Sequence, residues 1–330
     1  MNPSISIVTP MYNVEKYIEI YLNSLLRQTY DNFEVVIIDD CSTDNSVDIV
    51  NSYIEQFNGK LTLLHNQSNS GNPGIPTNLG LAAARGNYVL ILDADDYITD
   101  TALEELHNLT VEYNADIICC EKYYQFSEDN PNVIITTTYQ KEKCVTAPTL
   151  VTNDLAQRVH DLYDYKFIWN MWARLVRREL IINNNVKHIN GMAHDCLFFF
   201  CLMCLPCKAI KVPNIINYYR VRNNSHSHTS YNFLYFIKKY IQTLHRGFNY
   251  LNHFLNNQEY FKWHPDVTFL ALQHWIKICL SNIFNTVKPL PDDQIYQIFL
   301  SELSTINNPE LFACILARMN MLDTFLKEKH

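Results

Sequence analysis

Three carboxylates fall within four positions at Asp93, Asp95 and Asp96, directly after the uncharged run Tyr88-Val-Leu-Ile-Leu92. Aspartates one residue apart offer hard oxygen ligands to Mg2+ or Mn2+, which take one or two carboxylates and complete their shell with water and substrate phosphates. A second acidic pair, Asp39 and Asp40, ends another apolar run, Phe33-Glu-Val-Val-Ile-Ile38. Asp is common in turns and at helix N-termini, so either group taken alone could be a cap. Brought to one sheet edge, the two groups repel at a cost that a cation or a hydrogen-bonded ligand removes. A nucleotide carried with a metal meets both needs. Its pyrophosphate is bridged through the cation to one carboxylate, while the other pair accepts hydrogen bonds from a base N–H or ribose hydroxyls.

The elements that must deliver these groups read as alternating strands and helices. Ser4 to Thr9 alternates as a strand and Pro10-Met-Tyr12-Asn13 breaks it. Asn13 is placed to cap a helix whose face is Val14, Tyr17, Ile18, Tyr21, Leu22, Leu25 and Leu26, a core face and not a ligand box. Phe33 to Ile38 is a second strand, and Ser42 is placed to cap a helix carrying Val47, Val50, Ile54 and Phe57. Leu61 to Leu64 makes a third strand, a Gly/Asn/Pro loop runs from Asn69 to Pro76, and a short helix through Leu79, Ala82 and Ala83 precedes the Tyr88 strand. This alternation predicts an α/β fold with a mostly parallel sheet flanked by helices. Strands buried on both faces read as continuous apolar runs, and in such sheets ligands bind beyond the carboxyl ends of the strands. No G-x-G-x-x-G follows the first strand, which argues against a Rossmann oxidoreductase.

Four linked segments, in order, resemble a bacterial family 2 glycosyltransferase of the GT-A fold: Ser6-Ile-Val-Thr-Pro-Met-Tyr-Asn13, Leu25-Leu-Arg-Gln-Thr-Tyr30, Val36-Ile-Ile-Asp-Asp-Cys-Ser-Thr-Asp44 and Gly86-Asn-Tyr-Val-Leu-Ile-Leu-Asp-Ala-Asp-Asp96. The resemblance runs to about residue 225 and implies a Rossmann-like GT-A domain. By that resemblance Pro10, Tyr12 and Asp40 hold the base of a nucleotide-sugar, Asp93 contacts the donor, and Asp95 binds Mn2+ or Mg2+. The family commonly carries Arg where this chain has Thr77, before the matched Asn78, so Asn78 remains as the donor-side residue. Arg85 lies nearby in sequence, although an Arg ending a helix commonly makes a dipole contact.

Further along, Phe167-Ile-Trp-Asn-Met-Trp172 is similar to the family segment under the acceptor pocket. Trp169 and Trp172 then either stack on a sugar face or pack in the core. His194-Asp195 matches the place where many relatives carry Glu-Asp. This implies that Asp195 is the catalytic base taking the acceptor hydroxyl's proton and that His194 is an acceptor-side residue replacing an acid. Arg220 and Arg222 lie on one side of a strand, where guanidinium groups offset diphosphate charge. His226, with His228, either closes over the metal or belongs to a surface pair.

A net charge of -8 argues against nonspecific nucleic-acid binding, which depends on a basic footprint. No signal peptide is read. The longest uncharged apolar run, Cys196 to Cys207, has 12 residues and is too short to span a bilayer. The 10 cysteines are expected as reduced thiols of a cytoplasmic enzyme, and Cys196, Cys201, Cys204 and Cys207, despite an iron–sulfur-like spacing, as small core hydrophobes. Ser127 to Lys143 reads as an edge hairpin or mobile loop. Residues 1–228 are expected to form the catalytic domain. Residues 229–330 are expected to form a helical region serving as acceptor platform, homo-oligomer contact or face against the inner side of the cytoplasmic membrane. The expected activity is inverting, metal-dependent transfer of a hexosyl or N-acetylhexosaminyl group. The donor is a nucleotide-sugar, UDP-sugar favoured, and the acceptor a glycan or lipid-linked glycan of capsule, lipooligosaccharide or teichoic acid. The alternative is a catalytically silent nucleotide-sugar-binding or scaffold protein, suggested by the missing Arg and altered acid.

Overall fold

The computed structural model of the chain describes residues 3–137, 144–167, 170–222, 233–286 and 292–327. Two compact units account for them, the first comprising Met1–Asp154, Lys166–His188 and Pro206–Thr229 and the second Leu155–Tyr165, Ile189–Leu205 and Ser230–His330. The second unit therefore takes in two stretches that precede residue 229, besides the helical region expected after it.

The first unit is built on a 10-stranded sheet. Its amino-terminal part, β1 (Ile5–Met11), β2 (Phe33–Asp39), β3 (Leu61–His65) and β4 (Tyr88–Ile91), runs parallel in the order β3-β2-β1-β4. Helices α1 (Ile18–Leu26), α2 (Ser46–Tyr53) and α3 (Gly74–Ala83) connect these strands. Every residue of β2 is buried, as a strand covered on both faces requires. Ile5, Ile7, Val35, Ile37, Leu90 and Leu92 join Ile18, Tyr21, Leu22 and Leu25 in one cluster. On the other face α3 comes so close that a Cβ at Gly80 would collide with Ile38 and Val8. The register pairs Met11 with Asp39 and Val8 with Ile91, so both acidic groups emerge at one edge.

Beyond β4 the sheet becomes mixed. β9 (Arg174–Arg177) runs antiparallel between β4 and β6 (Ile117–Ser127), and β10 (Ala209–Val221) lies parallel to β6. β5 (Tyr97–Ile98) and β8 (Thr149–Leu150) pair antiparallel with β10, and β7 (Asn130–Thr137) forms the expected hairpin on β6. Between β5 and β6, α4 (Ala102–Tyr113) buries Leu103, Leu106 and Leu109; α6 (Arg178–Asn183) follows β9.

Two capping expectations are corrected. Asn13 adopts a left-handed φ of 49° and caps nothing, because α1 starts only at Ile18. Its amide instead bridges loops, accepting from Thr43 N at 2.7 Å and donating to Thr43 Oγ1 at 3.2 Å. Ser42 accepts from Asn13 N at 3.1 Å, and α2 begins later, at Ser46, whose N and Oγ donate to Asp44. These bonds tie the loops after β1 and β2 together beside the acidic edge.

The second unit is helical: α5 (Leu155–Tyr163), α7 (His194–Met203), α8 (Phe233–Asn256), α9 (Glu259–Trp263), α10 (Pro265–Thr286), α11 (Asp292–Leu303) and α12 (Pro309–Lys327). α7 is buried from Cys196 to Met203, and burial pushes the thiols of Cys196, Cys201 and Cys279 well up, as befits small core hydrophobes. Trp275 donates to Leu244 O at 3.0 Å and packs on Gly247, where a Cβ would collide with its ring. Among the described residues no helix is long and apolar enough to cross a membrane.

Candidate active site

The edge at the ends of β1, β2 and β4 is closed by hydrogen bonds that split its carboxylates into two kinds. Asp40 N donates to Met11 O at 2.8 Å, fixing the pair to the end of β1. The Asp40 side chain, in a residue only 4% exposed, is saturated. Oδ1 accepts from Asn66 Nδ2 at 2.7 Å and Ser70 N at 3.1 Å, and Oδ2 accepts from Ser70 N at 3.0 Å and Ser70 Oγ at 2.9 Å. Asn69 Nδ2 donates to Asp40 O at 2.9 Å. Asp40 thereby fastens the loop after β3 to the end of β2. Asp39 accepts from Ser42 N at 2.9 Å and contacts His65 Nδ1 at 3.2 Å. Pro10 is partly exposed and the Tyr12 ring is 48% exposed, so this edge keeps an open aromatic surface.

The second kind lies at the end of β4. Asp96 is buried, and burial first, then the charges of Asp95 and Asp93, raise its pKa well above the usual carboxylate range. Its Oδ1 accepts from Arg220 N at 2.8 Å, while Oδ2 has no hydrogen-bond partner among the described residues. β10 brings both arginines to Asp95. Arg220 Nε donates to Asp95 O at 2.9 Å, and Arg222 Nε lies 2.6 Å from Asp95 Oδ2 as an ion pair. The structure thus brings Asp93, Asp95, Arg220 and Arg222 together. Among the described residues no group of three or more His, Cys, Asp or Glu converges to hold a metal by itself. The Asp95 carboxylate offers the hard oxygen donors that suit a divalent cation keeping coordination positions for phosphate and water.

Other expected residues are engaged elsewhere. Asn78 donates to His188 O at 2.8 Å and accepts from His188 N at 2.9 Å, which engages both ends of its amide in a backbone bridge. Thr77, in place of the family Arg, is buried and donates to Pro73 O at 2.7 Å. Arg85 precedes β4, at the edge opposite the carboxylates, and grips Glu34 with Nε at 2.9 Å and Nη2 at 2.6 Å. Burial raises the Glu34 pKa, but the bonds from Ser6 and Arg85 outweigh it and hold the group below its usual value. Trp172 is 6% exposed, with Tyr219 stacked on it at 5.4 Å and Tyr123 edge-on at 4.8 Å. Its covered ring offers no open face to a sugar, so the core reading replaces the platform reading. Trp169 and His226 lie outside the described residues.

Asp195 and His194 belong to the second unit, in the first turn of α7. There the N-terminal end of the helix dipole favours an anion. Asp195 is partly exposed, and its Oδ1 accepts from Cys196 N at 2.9 Å. Sequence reasoning missed Asn66 and Ser70 as partners of Asp40. The only signal for them is the polar stretch between β3 and α3.

The family sequence model "Glycosyl transferase family 2" matches residues 6–169. The chain is 33% identical over 199 residues to the glycosyltransferase GlyG of Streptococcus pneumoniae, covering 59% of this chain and 63% of that one. It is 41% identical over 207 residues to the poly(ribitol-phosphate) beta-glucosyltransferase of Bacillus spizizenii, covering 58% of this chain and 32% of the relative. The chain therefore spans less than two-thirds of either relative. Its fold resembles the crystal structure of Staphylococcus aureus TarS 1-349 in complex with UDP-GlcNAc, with TM-score 0.69 and 23% identity over 92% of this chain and 80% of that one. Parallel strands ending in Asp39-Asp40 and in the Asp93–Asp96 cluster, the matched family segments and this shared architecture agree: the chain belongs to glycosyl transferase family 2 and has the GT-A fold.

Proposed function

We propose that the chain is an inverting glycosyltransferase that moves a hexosyl or N-acetylhexosaminyl group from a UDP-sugar to a hydroxyl of a bacterial surface glycan, with a poly(ribitol phosphate) polymer as the favoured acceptor class. The observation that carries the reading is the carboxylate cluster at the end of β4 gripped by Arg220 of β10 and by Arg222 directly after it. A site with both signs of charge suits a diphosphate and its counter-ion. The acceptor class rests on the Bacillus relative, and the uridine donor on the TarS complex. Asp95 would hold Mn2+ or Mg2+, which when bound neutralises charge on the leaving diphosphate, and Asp93 would contact the donor. Arg220 and Arg222 offset the same charge, and the exposed Tyr12 ring offers a surface to the base. In the transfer, the acceptor oxygen bonds to the anomeric carbon as the bond to the diphosphate breaks. The hydroxyl proton goes to Asp195. Work at the cytoplasmic face of the membrane is part of this proposal.

A thermal-shift screen of nucleotide-sugars with Mn2+ is the direct test, since a ligand at 100 Kd stabilises by about 2.7 kcal/mol. UDP-sugars should stabilise the protein, and Asp95→Ala or EDTA should abolish transfer. Asp195→Asn should leave nucleotide-sugar affinity near wild type while transfer falls ~10²-fold or more. Wild-type turnover in EDTA refutes metal dependence, and an unchanged rate in Asp195→Asn refutes the base.

A further inference from the structure

Tyr17, on the face that helical periodicity assigns to the core, packs against that core from the turn before α1 and stays partly exposed. Its ring is where the two arginines meet. The guanidinium carbons of Arg220 and Arg222 each lie 5.0 Å from the Tyr17 ring centroid, within cation–π range. Phe126 bounds the Arg220 guanidinium at 4.6 Å. The Tyr17 hydroxyl donates to Glu128 Oε1 at 2.6 Å, and Glu128 N donates to Val221 O at 3.0 Å. The hydrogen-bond acceptor that fixes the ring is therefore tied to Val221, the residue between the two arginines. Burial, then the bond to Glu128, raises the Tyr17 pKa, so the hydroxyl remains a neutral donor at neutral pH.

Two guanidinium groups beside one another repel and need a common partner of opposite polarity. The π face of Tyr17 and the Asp95 carboxylate supply it. Arg222 follows Val221, the last residue of β10, so no strand ladder fixes its side chain. Arg220 grips Asp95 by its backbone carbonyl and Arg222 grips it by its carboxylate. The path runs from Glu128 to Tyr17, from Tyr17 to both arginines, and from them to the residue expected to meet the cation. We propose that Tyr17 is a positioning residue: it touches neither donor nor metal but holds Arg220 and Arg222, and through them Asp95, in the arrangement that receives a nucleoside diphosphate with its cation. The proposal rests on the functional reading above.

The test compares Tyr17→Leu, Tyr17→Phe and Glu128→Gln by calorimetric UDP affinity with Mn2+, by urea unfolding without ligand, and by arginine ¹⁵Nε–¹Hε spectra without ligand. Tyr17→Leu should weaken UDP about tenfold, equivalent to ~1.4 kcal/mol, with an unfolding midpoint close to wild type, loss of the protected Nε–H signal of Arg220 and a shifted Nε–H signal of Arg222. Tyr17→Phe keeps the ring and should restore most of the affinity. Glu128→Gln should match it, because each removes only the hydroxyl contact with an anion. UDP affinity and protected arginine signals unchanged in Tyr17→Leu would overturn the proposal. So would a loss of stability with affinity intact, the result of a merely structural role. If the wild type itself binds no UDP, the functional reading falls, and the arginine signals still decide whether Tyr17 holds the pair.

Discussion

Replacing Asp40 by alanine should destabilise the first unit by about 3 kcal/mol and weaken nucleotides of every base alike. The perturbation removes the acceptor of three donors: Asn66 Nδ2, Ser70 N and Ser70 Oγ. Hydrogen bonds to a charged group contribute ~1.5–3 kcal/mol each, a gross loss of about 4.5–9 kcal/mol. Against this stand the relief of a buried charge and rehydration of Asn66 and Ser70, which are only partly enclosed, leaving a net of roughly 3 kcal/mol. Asp40→Asn keeps one carbonyl acceptor but turns an amide donor toward other donors, so it should recover about half of the loss. Urea unfolding followed by circular dichroism measures the first quantity. Calorimetry with UDP, GDP, CDP and ADP measures the second. The reasoning fails if Asp40→Ala unfolds within about 0.5 kcal/mol of wild type while its preference for uridine alone disappears. Those two results together would mean that the carboxylate reads the base and that the loop holds without it.

Trp172→Ala should cost about 3–5 kcal/mol because the ring fills the space between Tyr123 and Tyr219; a variant of wild-type unfolding midpoint with impaired acceptor use would reinstate the sugar platform. In the second unit, burial, then Lys277 and Arg318, lower the pKa of His274 to about 3, against ~6.5 in the unfolded chain. The unfolded state therefore binds the extra proton between those values, so stability falls as pH drops from ~6.5 toward 3, by up to about 1.4 kcal/mol per pH unit. His274→Phe, a ring still able to stack on Phe200, should flatten the urea midpoint between about pH 6.5 and 5 relative to wild type, and an unaltered slope would show that His274 is not held neutral in the folded protein.

The strands, their parallel order and the shared acidic edge were legible because they depend on contiguous signals: apolar runs such as Phe33 to Ile38 and Tyr88 to Leu92, each ending in aspartates. What escaped depends on partners distant in the chain. Asn13 and Ser42 look like caps by local rules, but Asn13 is satisfied by Thr43 and Ser42 accepts from Asn13 across the two loops. Asn78 meets His188, |i−j| = 110, and the packing of Trp172 depends on rings from β6 and β10. Tyr17 packs against the core as its apolar stripe implies, but the contact of its ring with both arginines depends on residues distant in the chain.

The same distinction decides what the carboxylates can do. Asp40 and Asp96 are both buried aspartates one or more residues beyond a strand end, and composition cannot tell them apart. Asp40 accepts from Asn66 and Ser70 with both of its oxygens and so holds a loop. Asp96 has one oxygen without a partner among the described residues, two more carboxylates within electrostatic reach and Arg220 beside it. An unmet acceptor in a low-dielectric setting is costly unless a ligand or water completes it. The end of β4 thus carries an unmet polar atom beside further charge, whereas the end of β2 is closed by hydrogen bonds to its own loop.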